Sequence, residues 1–437
     1  MIKVLLLGKD GRTDCLAEAL KTGGAGVYAM CDYRNPGLRR KAVQFRQGKT
    51  NDPAQVVDFA REVKPDLAVI GPEDPLAAGV VDRLQDLGIP CVGPTKRLAQ
   101  LESSKSFTRQ LLTEFGLPGN IAYQVFSSMD GLESYLRHLG EFVIKPDGLT
   151  GGKGVKVFGE HLLTIDEALQ YASELLSKGV VVVEEKLDGE EFSLQSFCDG
   201  ETVVDTIPVQ DHKRVWEDDT GPNTGGMGSY SGEDHSLPFL EREHLEAASQ
   251  INAAVARALK DKIGQPYRGV LYGGFMLTAK GVRLLEYNAR MGDPEAMNVL
   301  ALLDTNFVTV CEAIVSGTLR REHVRFRTRA SVCKYVVPKN YPENPARGAI
   351  DLERVPDESD DLRVYYAGVQ EDDAGRMLLT GSRAVAFVGI GRTVSEAEVI
   401  AENGTRRVDG PVEHRKDIGS MKLLQKRVQH IKRIMAQ

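Results

Sequence analysis

Three stretches of this chain bring together residue types suited to phosphate, metal and proton chemistry. The first is Asp147-Gly-Leu-Thr-Gly-Gly-Lys-Gly154, with Lys145 just upstream. Its glycines permit positive backbone torsions, so successive amide N–H groups can converge on phosphate oxygens while Lys145 and Lys153 supply charge. It lacks the GxxxxGK[ST] spacing of a Walker loop, and alone it also reads as a mobile turn. The second is Leu284-Leu-Glu-Tyr-Asn288, where Glu286 and Asn288 project from one face of a strand, with Arg290 next in the same phase. A Glu and an Asn suffice for Mg2+, which completes its octahedron with water and nucleotide phosphate; the alternative is an ordinary polar strand end. The third is Gln210-Asp-His-Lys-Arg214, followed by Asp219-Thr-Gly-Pro-Asn-Thr-Gly-Gly-Met-Gly-Ser-Tyr230. It joins four charged or titratable groups to a Gly-Gly-Met-Gly turn able to offer N–H groups to an anion, and long loops of this composition are typically binding loops.

The elements that must position these groups follow from hydrophobic pattern and turn signals. Val4 to Leu7 is an apolar strand running into Gly8, followed by a helix capped by Asp10 or Thr13 and a second β run at 26–30. The pattern recurs as strand 66–70, the turn Gly71-Pro-Glu-Asp-Pro75, a helix through Leu87 and strand 89–92, so residues 1 to about 100 read as a parallel α/β unit. Strands 141–145 and 155–158 flank the glycine-rich turn as antiparallel neighbours. A helix at 165–176 precedes Val180-Val-Val-Val-Glu-Glu185, a run expected of a strand buried on both faces. Glu184, Glu185 and Glu191 flank the turn Leu187-Asp-Gly189; they can accept hydrogen bonds from a purine amino group and ribose hydroxyls, or stand as solvated strand-end charges. Strands at 192–198 and 202–207 lead into a long polar loop. Helix 245–260, strands 269–278 and 282–288, and helix 295–315 come next, and a β-rich region after about 325 ends in a helix at 420–435.

Composition narrows the class. At 437 residues the chain exceeds one typical core and calls for several subdomains. Its hydrophobic fraction of 42% and charged fraction of 27% are those of a folded globular protein. A net charge of -7 argues against a general nucleic-acid binder. No apolar stretch reaches membrane-spanning length, and the opening MIKVLLLGKDG is too short for a signal h-region. The six cysteines, at 15, 31, 91, 198, 311 and 333, lack metal-ligand spacing and read as reduced cytoplasmic thiols. The tail from Thr405 carries nine Lys/Arg against three Asp/Glu, either a solvated helix face or an interaction surface. A monomer is the default expectation.

At these residues the sequence resembles the phosphoribosylamine-glycine ligase family of ATP-grasp enzymes, over nearly its whole length. The resemblance is carried by Gly71-Pro-Glu-Asp-Pro-Leu76, Gly93-Pro-Thr95, Leu101-Glu-Ser-Ser-Lys105, Lys145-Pro-Asp-Gly-Leu-Thr-Gly-Gly-Lys-Gly154, the stretches at 210–214 and 219–231, and Glu286-Tyr-Asn-Ala-Arg-Met-Gly-Asp-Pro-Glu295. It implies an α/β fold: an N-terminal parallel α/β (pre-ATP-grasp) domain at 1–103, a two-part ATP-grasp domain at 104–320 with a mobile lid at about 118–190, and a β-rich mixed domain at 321–437. It implies ligation of glycine to 5-phosphoribosylamine through a glycyl phosphate, with ATP split to ADP and phosphate, in purine biosynthesis. By carry-over, Lys105, Lys145, Gly151, Gly152, Lys153 and Gly154 would hold ATP phosphates, with Glu184, Glu185 and Glu191 toward the nucleoside. Glu286 and Asn288 would hold Mg2+ or Mn2+. Arg290, Asp211, His212 and Lys213 would be catalytic. Substrate contacts would come from Gly8, Gly11, Arg12, Pro72 and Glu73; from Asp211, Lys213, Arg214, Asn223 and Thr224; from Gly225, Gly226, Met227 and Gly228; and from Arg290, Gly292 and Asp293.

One stretch departs from the family pattern. Where the family has Gly-x-Gly-Gly-Arg-Glu-His, this chain has Gly8-Lys-Asp-Gly-Arg-Thr-Asp14. A helix N-terminus there still attracts anions, but Asp10 puts a carboxylate where a phosphate would sit. Like charges at ~4 Å repel by roughly a few kcal/mol unless offset, and Lys9 is the adjacent cation. The stretch leaves open a related ligase with another small amine or carboxylate. A nucleotide-binding protein without ligase activity is the third reading, and the complete set Lys105, Lys145, Glu286 and Asn288 argues against it.

Overall fold

The structure, a computed structural model, describes residues 1–149 and 154–436. Strands β1 (Lys3–Leu7), β2 (Gly26–Cys31), β3 (Gln44–Gln47), β4 (Leu67–Ile70) and β5 (Cys91–Val92) form a wholly parallel sheet ordered β3-β2-β1-β4-β5. Val4 to Leu7 are fully buried, as a strand covered on both faces requires. Helices α1 (Gly11–Thr22), α2 (Pro36–Lys41), α3 (Pro53–Val63), α4 (Glu73–Ala78) and α5 (Val80–Asp86) connect the strands. Strand order reverses between β1 and β4, so the loops at Gly8 and Gly71 open side by side at the crevice where such sheets bind ligands.

Helices α6 (Gln100–Ser103) and α7 (Lys105–Glu114) lead to a small antiparallel sheet of β6 (Tyr123–Phe126), β7 (Phe142–Pro146), β8 (Lys156–Val157) and β9 (Val181–Glu185), ordered β6-β9-β7-β8. Helices α8 (Leu132–Leu139) and α9 (Ile165–Leu176) pack on it around Phe126, Leu136, Phe142 and Val183. This layer has its own core, separate from the body.

The body is a nine-stranded sheet. Its strands are β10 (Gly189–Asp199), β11 (Val203–Asp211), β14 (Gly228–Ser231), β15 (Arg268–Thr278), β16 (Gly281–Asn288), β17 (Ala330–Pro338), β19 (Leu362–Tyr366), β22 (Val385–Gly391) and β23 (Val412–His414). A hairpin of β12 (Arg214–Trp216) and β13 (Thr220–Asn223) hangs from the end of β11, and β18 (Ala349–Ile350), β20 (Val369–Glu371) and β21 (Met377–Leu379) make a small outer sheet. Helices α10 (Arg242–Ile263), α11 (Glu295–Leu302), α12 (Phe307–Ser316), α13 (Val394–Thr405) and α14 (Met421–Met435) flank the sheets. No helix among the described residues is long and apolar enough to cross a membrane.

Several expectations need adjustment. The Gly71–Pro75 segment is not wholly a turn, because α4 starts at Glu73; Gly79 in a left-handed conformation (φ 82°) then splits the expected helix through Leu87 in two. Helix 295–315 is likewise two helices, the second restarted by an Asn306 side chain that accepts from Val308 N–H. The polar loop after β11 contains a buried strand. Gly228-Ser-Tyr-Ser231 lacks apolar alternation, yet it joins β11 to β17 and so fuses the C-terminal third into the body sheet. Tertiary hydrogen bonds, such as the Tyr230 hydroxyl to Gln210 Oε1 at 2.9 Å, replace the missing hydrophobic signal.

Candidate active site

The nucleotide-like half of the site lies between the small sheet and β16. Glu184 on β9 is 2% exposed and has both oxygens taken: Arg109 Nε of α7 donates to one at 2.6 Å, and Lys145 Nζ of β7 lies 2.5 Å from the other. Burial alone would raise its carboxyl, but Arg109 and Lys145 overcome that and hold it at about 2. Arg109 also donates to the carbonyls of Leu284 (3.0 Å) and Leu285 (2.9 Å), tying α7 to β16. Glu184 was expected at the nucleoside; with both oxygens engaged it instead fixes Lys145 in place. Glu185 accepts Ala122 N–H at 2.8 Å. Lys105, at the start of α7, donates to Gly148 O at 2.7 Å, and burial lowers its pKa. Asp147 accepts from Ser104 Oγ (3.1 Å) and Ser106 Oγ (2.5 Å), anchoring the entry to the glycine-rich turn. Gly151, Gly152 and Lys153 lie outside the described residues. Gly154, beyond them, is left-handed (φ 86°) and accepts the Tyr171 hydroxyl at 2.7 Å.

Glu286 and Asn288 share one face of β16, as alternation requires. Lys213 Nζ stands 3.7 Å from Glu286 and 2.9 Å from Glu191. Burial opposes ionisation of Glu286, and the charges of Lys213, Lys145, Lys105 and Arg290 together pull its pKa down. Lys145, Lys213 and Arg290 are also paired with Glu184, with Glu191, and with Glu73 and Glu102, while Lys105 forms no ion pair among the described residues and is the cation left for an anion. The Asn288 amide is satisfied with its nitrogen toward Glu102 Oε1 at 3.1 Å. No cluster of three or more His, Cys, Asp or Glu able to hold a metal occurs among the described residues. The oxygen pair fits a hard divalent cation that takes most of its ligands from water and phosphate.

The 211–228 segment folds back on itself. Thr224 N–H and Oγ donate to Lys213 O at 2.7 and 2.8 Å, Gly226 N–H to Thr224 Oγ at 3.0 Å, and Met227 N–H to His212 O at 2.8 Å. Gly226 (φ 107°) is required here: a Cβ on it would lie 2.6 Å from both Asp211 Oδ1 and Pro294 Cδ. Asp211 and Lys213 therefore face the pocket with Glu191, Tyr272 and Glu286. His212 does not. It is 1% exposed, stacked 6.0 Å from the Tyr230 ring, with Nδ1 3.4 Å from Asp219, and burial depresses its pKa. The alternation that turns Asp211 and Lys213 toward the cleft turns His212 into the core, so its expected catalytic contact is corrected. Arg214 pairs with Glu160 (2.5 Å) and Gly221 O (2.8 Å), and Asn223 lies opposite it across the hairpin.

The crevice of the parallel sheet supplies the other wall. Asp10 caps α1, accepting Thr13 N–H at 2.9 Å and Thr13 Oγ at 2.7 Å, and it is ion-paired with Arg12. Lys9, the expected offset, is committed to Asp32 at 2.7 Å. Arg12 donates to Met291 O at 2.7 Å and lies 3.7 Å from Glu73. Arg290 is gripped by Glu73 (3.0 Å) and Glu102 (2.7 Å). Gly8, left-handed at 149°, packs on Pro72 and Thr13. Gly11 abuts the Tyr335 hydroxyl, which donates to Asp293 at 2.6 Å. Sequence reasoning missed Arg383. It lies 4.5 Å over the Tyr335 ring, 3.1 Å from Asp293 Oδ2, and donates to Gly225 O (2.6 Å), Gly226 O (2.9 Å) and Asp293 O (2.9 Å). A lone arginine in a β-rich region carries no motif. Glu102 and Glu295 sat inside quoted motifs and could have been found there.

Models of the phosphoribosylglycinamide synthetase N domain, ATP-grasp (A) domain and C domain match residues 2–102, 103–296 and 331–421. The phosphoribosylamine-glycine ligase of Methanocaldococcus jannaschii is 47% identical over 441 residues, covering 98% of each chain. That of Pyrococcus abyssi is 44% identical over 438 residues, covering 99% of this chain and 98% of its own. The crystal structure of phosphoribosylamine-glycine ligase from Thermotoga maritima superposes with a TM-score of 0.81 at 28% identity, over 95% of this chain and 100% of that one. A biotin carboxylase from Campylobacter jejuni shares the fold alone, with a TM-score of 0.74 at 13% identity over 99% of this chain and 95% of that one.

Proposed function

The chain belongs to the phosphoribosylglycinamide synthetase family, and from that membership we propose that it joins glycine to 5-phosphoribosylamine. The products are glycinamide ribonucleotide, ADP and phosphate, and the reaction serves purine biosynthesis. We assign it to the cytoplasm, in keeping with six buried cysteines and no disulfide, and as a monomer. The observation that carries the reading is the convergence of Lys105, Lys145, Lys213 and Arg290 on Glu286, a charge arrangement suited to a polyphosphate beside a divalent cation.

A carboxylate is a poor electrophile. In the first step a glycine carboxylate oxygen attacks the γ-phosphorus and the bond to ADP breaks, leaving glycyl phosphate. In the second the sugar amine attacks the acyl carbon, phosphate departs, and the nitrogen loses a proton. Lys105 and Lys145 orient the ATP phosphates, and Glu184 and Arg109 hold Lys145 rigid for that task. Glu191, Glu185 and Gly154 border the nucleotide. Glu286 and Asn288 would hold Mg2+ or Mn2+, which when bound neutralises phosphate charge. Arg290, locked between Glu73 and Glu102, faces the acyl phosphate, with Lys213 opposite. The turn at Gly225, braced by Arg383, and the Gly8, Gly11 and Pro72 loops border the sugar phosphate.

Phosphate release from ATP and Mg2+, with freshly generated phosphoribosylamine, should require glycine. Release without glycine, or none with both substrates, would contradict the reading. The Asp10–Arg12 pair favours one alternative, a related ligase with a different small amine or carboxylate. It predicts ATP turnover only with another substrate pair.

A further inference from the structure

We infer that Arg427, on the C-terminal helix α14, is a positioning residue: from behind the cleft it ties together the two elements whose front faces carry Glu191 and Lys213, and so sets that ion pair. Its consequence for turnover rests on the ligase reading above; the geometry that defines it does not.

The basic tail reads in the sequence as a solvated face or an interaction surface, yet Arg415, Lys426 and Arg427 turn back onto the protein. Leu423, Leu424, Ile431 and Ile434 bury one face of α14. Beside them Arg427 Nη1 reaches Glu190 Oε2 of β10 at 3.0 Å, while its Nη2 pairs with Asp219. Glu190 is 3% exposed, and His430 Nδ1 lies 2.6 Å from its other oxygen. Arg415 donates to Asp219 Oδ1 at 3.0 Å and to Arg214 O at 2.9 Å, joining the two strands of the β12–β13 hairpin. Asp218 and Asp219 are both left-handed, at φ 57° and 60°. Two such non-glycine residues in succession persist only where their surroundings hold them. Here the C-terminal segment does so: Asp417 accepts Asp218 N–H at 2.8 Å, and Lys426 donates to Asp218 O at 2.9 Å.

Strand alternation carries this bracing to the pocket. Glu190 and Glu191 are neighbours on β10, so with Glu190 behind the sheet Glu191 faces the cleft. His212, 3.4 Å from Asp219, is in the same way the rear neighbour of Lys213. Behind the sheet Arg427 joins Glu190 to Asp219; in front, Lys213 Nζ lies 2.9 Å from Glu191 and 3.7 Å from Glu286. Thr224, at the base of the hairpin, donates its N–H and Oγ to Lys213 O. Burial opposes the charge on Lys213, but Glu191, Glu286 and Asp211 overcome it and raise its pKa. A group placed for reaction loses about 10²-fold in rate for a displacement of ~1 Å. Loss of the rear bridge should therefore appear in turnover, although Arg427 is not among the residues lining the pocket.

The test uses the full-length protein. Arg427→Met keeps the apolar stem and removes the bridge, and Glu190→Gln breaks the same bridge from the strand side. Each is treated with acetic anhydride, and acetylation of Lys213 is timed by peptide mass spectrometry, because an ammonium held by Glu191 offers no lone pair. Lys213 should react about threefold faster or more in both variants, the scale of one weakened ion pair. A native rate in whichever of them folds would overturn the inference. With ATP, glycine and phosphoribosylamine, Arg427→Met should lower kcat about 10- to 100-fold while the ATP KM stays within about twofold. Added to Lys213→Met, it should cost less than about twofold more, because both changes act on one group. Losses that multiply in full, or a lowered melting temperature with native kcat, would overturn it. Absence of glycine-dependent turnover in the native enzyme would overturn the ligase reading alone, and the acetylation rate then decides the role of Arg427.

Discussion

Asp10 and Arg12, two residues apart in the first turn of α1, are ion-paired with each other. The guanidinium that the family pattern assigns to a substrate phosphate thus already has an anion, held in turn by Thr13 N–H and Oγ at 2.9 and 2.7 Å. Burial would raise the Asp10 carboxyl, but Arg12 and Thr13 keep it at about 2, so it is ionised at neutral pH. We propose that it competes with an incoming phosphate for Arg12.

Asp10→Asn retains the cap and removes the competing charge. The KM for the sugar-phosphate substrate should fall by roughly threefold or more, the scale of one weakened charge pair of ~1 kcal/mol, with the ATP KM unchanged. Steady-state kinetics check this, and an unchanged sugar-phosphate KM would remove Asp10 from that site.

Glu286→Ala should abolish turnover, by more than about 10³-fold if it removes a charge-stabilising ligand, with little change in melting temperature, since Lys213, 3.7 Å from Glu286, keeps Glu191 at 2.9 Å. Residual activity near native would eliminate Glu286 as the metal ligand.

Glu184→Gln leaves Arg109 and Lys145 buried without their anion, a loss of about 3–5 kcal/mol. Glu184 titrates at about 2 in the folded protein and near ~4.3 unfolded. A lowered folded pKa stabilises fully above the unfolded value and is lost as pH falls through the folded one, so its ~3 kcal/mol fades from about pH 4 toward pH 2. The urea midpoint of the variant should lie below the native one at pH 7, and the gap should narrow below pH 4. A pH-independent gap would contradict the assignment.

His212→Gln should keep more than about a tenth of kcat and leave its pH profile unchanged, because the ring is 1% exposed and touches the core. The profile over pH 5–8 reads this out, since a catalytic histidine would remove a limb.

Much of this was legible in the chain. The parallel opening unit, the Ile165–Leu176 helix and the Glu286/Asn288 phase all follow from period and spacing. Lys105, Lys145 and Lys213 come from three separate motifs, and in the fold their charges all act on Glu286. What escaped depends on distant partners. Gly228–Ser231 is a strand only because β11 and β17 offer it hydrogen bonds. Arg383 matters only because the chain returns it to Gly225 and Asp293, 158 and 90 residues away. His212 sat in a titratable run, and strand alternation buried it while exposing its neighbours. Asp10 was visible as an intrusive carboxylate, but its neutralising partner was Arg12 rather than Lys9.

The central claim is that glycine is activated as an acyl phosphate. Supplying glycine with both carboxylate oxygens as ¹⁸O, together with ATP and phosphoribosylamine, reads this directly by mass spectrometry of the released phosphate. One ¹⁸O per phosphate is the predicted result, because the bridging oxygen leaves with phosphorus when the amine attacks. Phosphate carrying none would mean that water attacks ATP and would contradict the account.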